Sequence, residues 1–286
     1  MNSTEVPIQH TAGRLATLPA WTTGVPGIAA HHAEVLANSA RGDRYWQLRL
    51  RAPDIAAVAR PGQFVMLTAA SGARLHPVLP RPMALYDWDI RAGWIDVVYG
   101  VVGEGSALLT EFRAGTAMTV VGPLGRGFDL DPAASSVLLI GRGIGVCSLT
   151  ALAGQAARSG VETTVVLSAR SRAALAGSEV LARHGIRDVI TVLDSDGSST
   201  PERLTARLLD RFDTAPPAQI FTCGSERLTD LCARLATRWR ADLQVSLEAR
   251  MACGLGYCHG CSSGRGGSGV EDPLVCADGP VFRWTA

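Results

Sequence analysis

The sequence predicts a small antiparallel β-barrel, then an α/β domain with a parallel sheet, then a short cysteine-rich segment. Three observations predict it. Short alternating stretches follow one another from His31 to Gly122. After Asp131-Pro132, apolar stretches alternate with helical ones. Four of the seven cysteines fall in the last 34 of 286 residues. The length itself suits about two domains. The reading divides the chain at 1–30, 31–130, 131–248 and 249–286.

In the first half, Arg44 to Leu50 alternates polar and apolar residues, as a half-buried strand does. Further strands are predicted at Gln63 to Thr68, Pro82 to Trp88, Trp94 to Val102 and Ala117 to Val121. Turn signals such as Pro61-Gly62 and Arg91-Ala92-Gly93 separate them. About six strands with one helix near Ser106 to Phe112 make a six-stranded barrel.

In the second half, Ser136 to Ile140 is a continuous apolar run, and Val146 to Ala157 reads as a helix. Strands follow at Thr163 to Leu167, Asp188 to Leu193, Gln219 to Thr222 and Leu243 to Leu247. Helices at Pro201 to Arg211 and Glu226 to Arg240 lie between them. Such alternation implies a parallel sheet covered on both faces. The last 35 residues carry little periodicity and read as a loop around a cofactor.

A formal charge of +1 gives no reason to expect nucleic acid or an anionic membrane as partner. No run approaches eighteen apolar residues, so no spanning helix is expected. Met1 to Ala30 lacks a basic start before an apolar block, unlike a signal peptide. It reads as a loosely packed extension, with a partner-binding arm as the alternative. An odd cysteine count fits a disulfide framework poorly, and the clustering points to a metal site in the reducing cytoplasm.

The cluster runs Cys253-x4-Cys258-x2-Cys261-x14-Cys276. Structural zinc sites usually present two C-x2-C-like pairs. Here one nine-residue loop supplies three thiols and the fourth arrives alone, the spacing of plant-type [2Fe-2S] ligands. Gly254, Gly256 and Gly260 leave room for backbone N–H groups to face the sulfurs. Zinc is the competing reading.

Gly141-Arg142-Gly143-Ile144-Gly145 follows a buried strand, where Gly141, Gly143 and Gly145 would let a pyrophosphate approach the backbone. It is not G-x-G-x-x-G, since Val146 takes the last glycine's place. No acid ends the next strand; Leu167-Ser168-Ala169-Arg170 stands there. An ordinary tight turn is the alternative. Cys223-Gly224 ends a later strand at the same sheet edge, either beside a cofactor or as a merely buried cysteine.

Together these pieces resemble the ferredoxin–NADP reductase superfamily. Arg81-Pro82-Met83-Ala84 resembles its R-P-x-S flavin motif, and Gly122 to Phe128 its G-P-x-G-x-F junction. The tail Ser246 to Gly256, with Cys276 to Phe282, is similar to one branch: electron-transfer subunits of class 1B dihydroorotate dehydrogenase. The resemblance covers residues 31 to 286.

It implies that Arg81, Pro82, Met83 and Ala84 hold FAD, with Val98, Tyr99, Gly100, Gly103, Gly105 and Ser106 as further flavin contacts. Arg81 would pair with phosphate oxygens; Tyr99 would stack on the flavin or serve as a barrel-core aromatic. Gly141 to Gly145 would bind the NAD dinucleotide, and Cys223-Gly224 would reach its nicotinamide. The cysteines would carry the [2Fe-2S] cluster. An FMN-containing catalytic subunit would be the partner, in a heterotetramer serving pyrimidine biosynthesis. FAD would convert between two-electron hydride and one-electron chemistry. None of His31, His32, His76, His184 or His259 forms an evident acid–base dyad.

Four departures stand out. Ala84 replaces the motif's serine, Arg142 interrupts the glycine turn, Ser225 stands where proline is common, and an N-terminal extension is present. Arg142 would either pair with the pyrophosphate or obstruct the nucleotide. Arg170 and Arg172 would either meet a 2′-phosphate or be solvated, and NAD over NADP follows from resemblance. A stand-alone NAD(P)H diaphorase or ferredoxin-type reductase is the rival function, and a regulator with a decayed site is another.

Overall fold

The structure is a computed structural model that describes residues 14–18, 29–42, 44–69, 76–264 and 271–285. Strand β1 (Arg14–Thr17) comes first. The barrel follows: β2 (Ala29–Arg41), β3 (Tyr45–Arg51), helix α1 (Pro53–Val58), β4 (Phe64–Leu67), β5 (Arg81–Asp89), β6 (Trp94–Gly100), α2 (Glu104–Leu109) and β7 (Ala117–Leu124). Its strands close in the order β2-β3-β6-β5-β4-β7, each paired antiparallel to its neighbours. The alternation read in the sequence is what fills it. Leu48 and Leu50 point inward with Val65, Leu67, Ile95 and Val97, all essentially inaccessible. Helix α1 was not anticipated: Pro53 starts it at a position where proline costs no hydrogen bond, and six residues are too few to show periodicity.

The second unit runs β8 (Ser136–Arg142), a 3₁₀ turn (Gly143–Ser148), α3 (Thr150–Arg158), β9 (Glu162–Ala169), α4 (Ser178–Arg183), β10 (Val189–Leu193), α5 (Pro201–Phe212), β11 (Gln219–Cys223), α6 (Glu226–Trp239) and β12 (Asp242–Ser246), ending in β13 (Val281–Thr285). Strands β8 to β12 are parallel in the order β12-β11-β8-β9-β10. The unbroken apolar run of β8 is explained by its two covered faces. Val137 and Leu139 pack with α3, while Leu138 and Ile140 pack with α5 and α6.

Three expectations are corrected. The C-terminal segment is not loop throughout: β13 pairs antiparallel with β12, and β1 pairs antiparallel with β13, so the sheet has seven strands and is mixed. The N-terminal extension contributes a sheet edge at Arg14–Thr17, with Leu18 buried in the core, and so is not loosely packed there. Ala29 and Ala30 already belong to β2, and residues 1–13 and 19–28 lie outside the described residues. The helix read from Val146 begins instead as a 3₁₀ turn, with α-helix only from Thr150. Gly143 and Gly145 disfavour α geometry at its start, and Leu149 N–H donates to the Val146 carbonyl at 2.9 Å, a three-residue span.

The two units meet without a loose linker. Phe128 N–H donates to the Pro61 carbonyl at 2.8 Å, Asp129 N–H to Gln244 Oε1 at 2.8 Å, and Asp131 N–H to Gln219 Oε1 at 2.8 Å. His184 Nε2, beside α4, lies 3.2 Å from Asp87 of the barrel, which is 6% exposed. This is the one histidine with a buried acid beside it among the described residues, and it borders neither cavity described below.

Candidate functional site

A cavity of about 1150 Å³ lies between the barrel and the carboxyl edge of the parallel sheet. It borders every barrel residue expected to touch a flavin: Arg81, Pro82, Met83, Ala84, Val98, Tyr99, Gly100, Gly103, Gly105 and Ser106. These come from the start of β5, the end of β6 and the turn into α2, so three adjacent segments form one wall. A Cβ at Gly105 would overlap the Arg81 guanidinium. Glycine there is what lets the arginine lie along the cavity. Ser106 Oγ accepts from Val102 N–H at 2.9 Å and Gly103 N–H at 3.1 Å, and donates to the Gly103 carbonyl at 2.9 Å. Its hydroxyl therefore shapes the turn into α2.

The structure places Tyr99 in the barrel core, at the edge of the cavity. Its ring sits in the barrel core, it is 2% exposed, and its hydroxyl donates to Asn38 Oδ1 at 3.1 Å. Successive residues on β6 face opposite sides, so Val98 packs instead toward Cys147 and Tyr86 at the junction of the two units.

From the sheet side the cavity takes Ile144, Gly145, Cys147, Ser148 and Cys223. A Cβ at Gly145 would stand 2.9 Å from the Cys223 carbonyl oxygen, so the turn packs directly on the end of β11. Cys223 is 2% exposed and burial pushes its thiol up to about 12. It stays a neutral thiol, donating toward Glu248 Oε1 at 4.0 Å. Gly141, Gly143 and Gly224 do not border this cavity; they stand at the same strand ends, Gly141 near the end of β8, Gly143 opening the turn and Gly224 just after β11.

Two residues bordering the cavity had not been singled out. Glu248 is an exposed residue whose carboxyl turns toward Cys223, and burial of that group raises it above the usual range. Its signal was an acid just past the last parallel strand. Tyr45 borders the cavity from the barrel side, and a Cβ on Gly143 would stand 3.8 Å from its hydroxyl. It opens β3 and was read only as part of an alternating strand.

The lining Ser246, Leu247, Glu248, Ala249 and Met251 leads straight into Cys253. The four thiols come as two pairs. Cys261 Sγ and Cys276 Sγ are 3.2 Å apart and buried, at 3% and 2% exposure. Cys253 is hydrogen-bonded with Cys258, which is exposed. Among the described residues no three His, Cys, Asp or Glu side chains converge on one ion. Two thiol pairs match the ligand demand of a dinuclear cluster, two to each iron.

Backbone donors face the sulfurs, as the glycines suggested: Leu255 N–H to Cys253 at 3.4 Å, Gly256 N–H to Cys276 at 3.2 Å, and Cys276 N–H to Cys261 at 3.4 Å. Burial pushes Cys253 up, yet N–H donors from Leu255, Cys258 and Tyr257 and the Cys258 side chain bring it down to about 6. The buried pair rests on Phe64, Met66 and Leu124 of the barrel and on Phe282 of β13.

The profile of the iron-sulfur cluster binding domain of dihydroorotate dehydrogenase B matches residues 248–286. A curated relative from Bacillus caldolyticus, the dihydroorotate dehydrogenase B (NAD(+)) electron transfer subunit, is 37% identical over 248 residues, 84% of this chain and 91% of that one. The chain belongs to the dihydroorotate dehydrogenase B electron transfer subunit family.

A second relative of that name, from Listeria innocua, is 32% identical over 252 residues, 87% of this chain and 95% of its own. Among solved structures, the NADH-dependent reduced ferredoxin-NADP oxidoreductase studied for electron bifurcation superposes with a TM-score of 0.71 at 25% identity, covering 88% of this chain and 87% of that one. Phthalate dioxygenase reductase superposes at 0.60 with 19% identity, covering 79% and 70%, and shares the fold. The expected barrel-plus-sheet architecture of the ferredoxin–NADP reductase superfamily is thus the observed one. No helix in the described residues is long and apolar enough to cross a membrane.

Proposed function

We propose that this chain is the electron-transfer subunit of a type B dihydroorotate dehydrogenase, passing electrons between NAD(H) and an FMN-containing catalytic subunit. The observation that carries this reading is continuity. The segment Ser246 to Met251 borders a flavin-sized cavity and runs directly into the four-thiol loop at Cys253.

Bound FAD would supply conversion between two-electron hydride and single-electron transfer. Arg81 would pair with its phosphates; Pro82, Met83, Ala84, Val98, Tyr99, Gly100, Gly103, Gly105 and Ser106 would shape the remaining wall. Gly141, Gly143, Gly145, Cys223 and Gly224 would receive the dinucleotide, with nicotinamide over Cys223. Glu248 can hold a proton beside that thiol. Cys253, Cys258, Cys261 and Cys276 would ligate the [2Fe-2S] cluster as two pairs. The exposed side, with Tyr257 at 86% and Leu255 at 39% exposure, would face the catalytic subunit.

We assign residues 31–130 to flavin binding, 131–248 to the nucleotide and 249–286 to the cluster, with 1–30 preceding them. A heterotetramer in pyrimidine biosynthesis is the assembly implied by the family. All seven cysteines are free, which supports the cytoplasm as its location.

The test is to co-purify the chain with its genomic neighbour and follow NADH-dependent reduction of orotate. Turnover in the cofactor-replete complex supports the assignment. Reduction of another substrate without orotate turnover overturns the pyrimidine role, and full physiological activity in an isolated monomer favours the stand-alone reductase.

A further inference from the structure

A second cavity, of about 310 Å³, opens at the carboxyl ends of the same parallel strands. Arg142, Ser168, Asp194 and Ser199 border it on the polar side, over an apolar floor that includes Leu228 and Leu231. Arg142 is the last residue of β8, and its Cβ lies 3.0 Å from where a Cβ on Gly224 would stand. The side chain therefore starts in the crevice between β8 and β11. The strand order turns back at that crevice, the place where open α/β sheets bind ligands.

From there the arginine crosses the end of β9. Its Nη1 donates to Ser168 Oγ at 3.0 Å and to Asp194 Oδ1 at 3.0 Å, and its Nη2 donates to Asp194 Oδ2 at 2.8 Å. Ser199 donates to the same carboxylate. The Arg142 guanidinium, then the Ser199 hydroxyl, hold Asp194 well below the usual carboxylate range, at about 2.

The end of the second strand of such a sheet is where a dinucleotide's adenosine ribose lies. An acid there accepts from the 2′-hydroxyl, whereas an arginine nearby pairs with a 2′-phosphate. This site holds both, locked on each other, and the acid stands just after β10 rather than at the end of β9. Without Asp194, a guanidinium fork and two hydroxyls would remain, with Arg227 on the same cavity wall. That donor set matches a phosphate group.

We propose that this cavity is a latent 2′-phosphate site in which Asp194 stands as the internal counter-ion, making Asp194 the residue that selects NADH over NADPH. The proposal rests on the reading of the chain as nicotinamide-dependent. A 2′-phosphate must displace a two-pronged carboxylate and then sit beside its charge. An unphosphorylated ribose leaves the pair intact.

Calorimetric titration of the FAD- and cluster-loaded protein with NADH, NADPH, 5′-AMP and 2′,5′-ADP tests this. Asp194→Ala should lower the NADH-over-NADPH affinity ratio about tenfold or more, through tighter binding of NADPH and of 2′,5′-ADP. That gain should fade with added salt. Arg142→Ala should move the ratio the other way, since an unopposed Asp194 repels the phosphate. General loosening of the fold would shift both variants in one direction. Neither residue borders the larger cavity, so the flavin spectrum reports whether each variant is folded. A ratio within about twofold of wild type in Asp194→Ala, or shifts of the same sign in both variants, overturns the proposal. Wild-type protein that binds neither dinucleotide overturns the nicotinamide reading itself, and this proposal with it.

Discussion

Cys261 Sγ and Cys276 Sγ stand 3.2 Å apart although 15 positions separate them in the chain. Cys253 and Cys258 make the other pair, and only that pair reaches the surface. The cluster site thus has a buried half resting on the barrel and an outward half.

Cys258→Ser separates these halves functionally. The exposed site has no packing to lose, so in metal-free protein the unfolding free energy should change by no more than about 0.5 kcal/mol. Flavin content and NADH-driven dye reduction should persist, while electron delivery to the catalytic subunit should disappear. Parallel loss of dye reduction would mean that the tail is structural rather than a conduit.

Ala84→Ser restores a hydroxyl at a cavity position paired with Phe64 of β4. One hydrogen bond of about 1 kcal/mol made near the reacting flavin corresponds to about fivefold in rate. Stopped-flow reduction of the bound flavin by NADH should accelerate by that order, with little change in flavin affinity.

Gly145→Ala places a methyl 2.9 Å from the Cys223 carbonyl oxygen and 3.1 Å from its Sγ. The first neighbour is backbone and yields little. Overpacking of this kind costs about 1–3 kcal/mol, readable as a lower urea midpoint, and NADH affinity should fall with it. An unchanged midpoint would show that the turn relaxes freely.

Glu248→Gln should flatten the pH dependence of stability. Burial raises this carboxyl above about 4.5, so the folded protein binds its proton more tightly than the unfolded chain does. The stability this contributes is complete below the unfolded pKa and is lost as pH rises through the folded one. Urea midpoints of wild type should therefore decline relative to the glutamine variant as pH rises from about 4, levelling off once the folded group has ionised. Parallel curves would show that Glu248 titrates alike in the folded and unfolded chain.

Most of the architecture was legible because its signals are periodic. Alternation marked β3, β6 and β7, and the apolar run marked β8, whose two covered faces demand it. The cysteine spacing was legible because ligand geometry constrains it over a few residues. Strand β13 escaped because Val281–Thr285 follows a stretch with no period of its own, and its partner β12 lies across the cluster loop. Helices α1 and α4, six residues each, are too short for periodicity to register. The ring of Tyr99 and the carboxylate of Asp194 turn on which way one side chain points and on which strand end meets which. Those relations exist only once the sheet has assembled.

Leu247 N–H donates to the Pro280 carbonyl at 2.9 Å, and β12 and β13 pair immediately beside it. The cysteine segment is thus tied at both its ends to neighbouring strands, and β13 in turn carries β1. It is an excursion from the nucleotide-binding sheet, not an appended module. Grafting it elsewhere would mean transplanting a sheet edge. Conversely, a chain unable to fill its thiol pairs would feel the strain along that edge as far as its N-terminal strand.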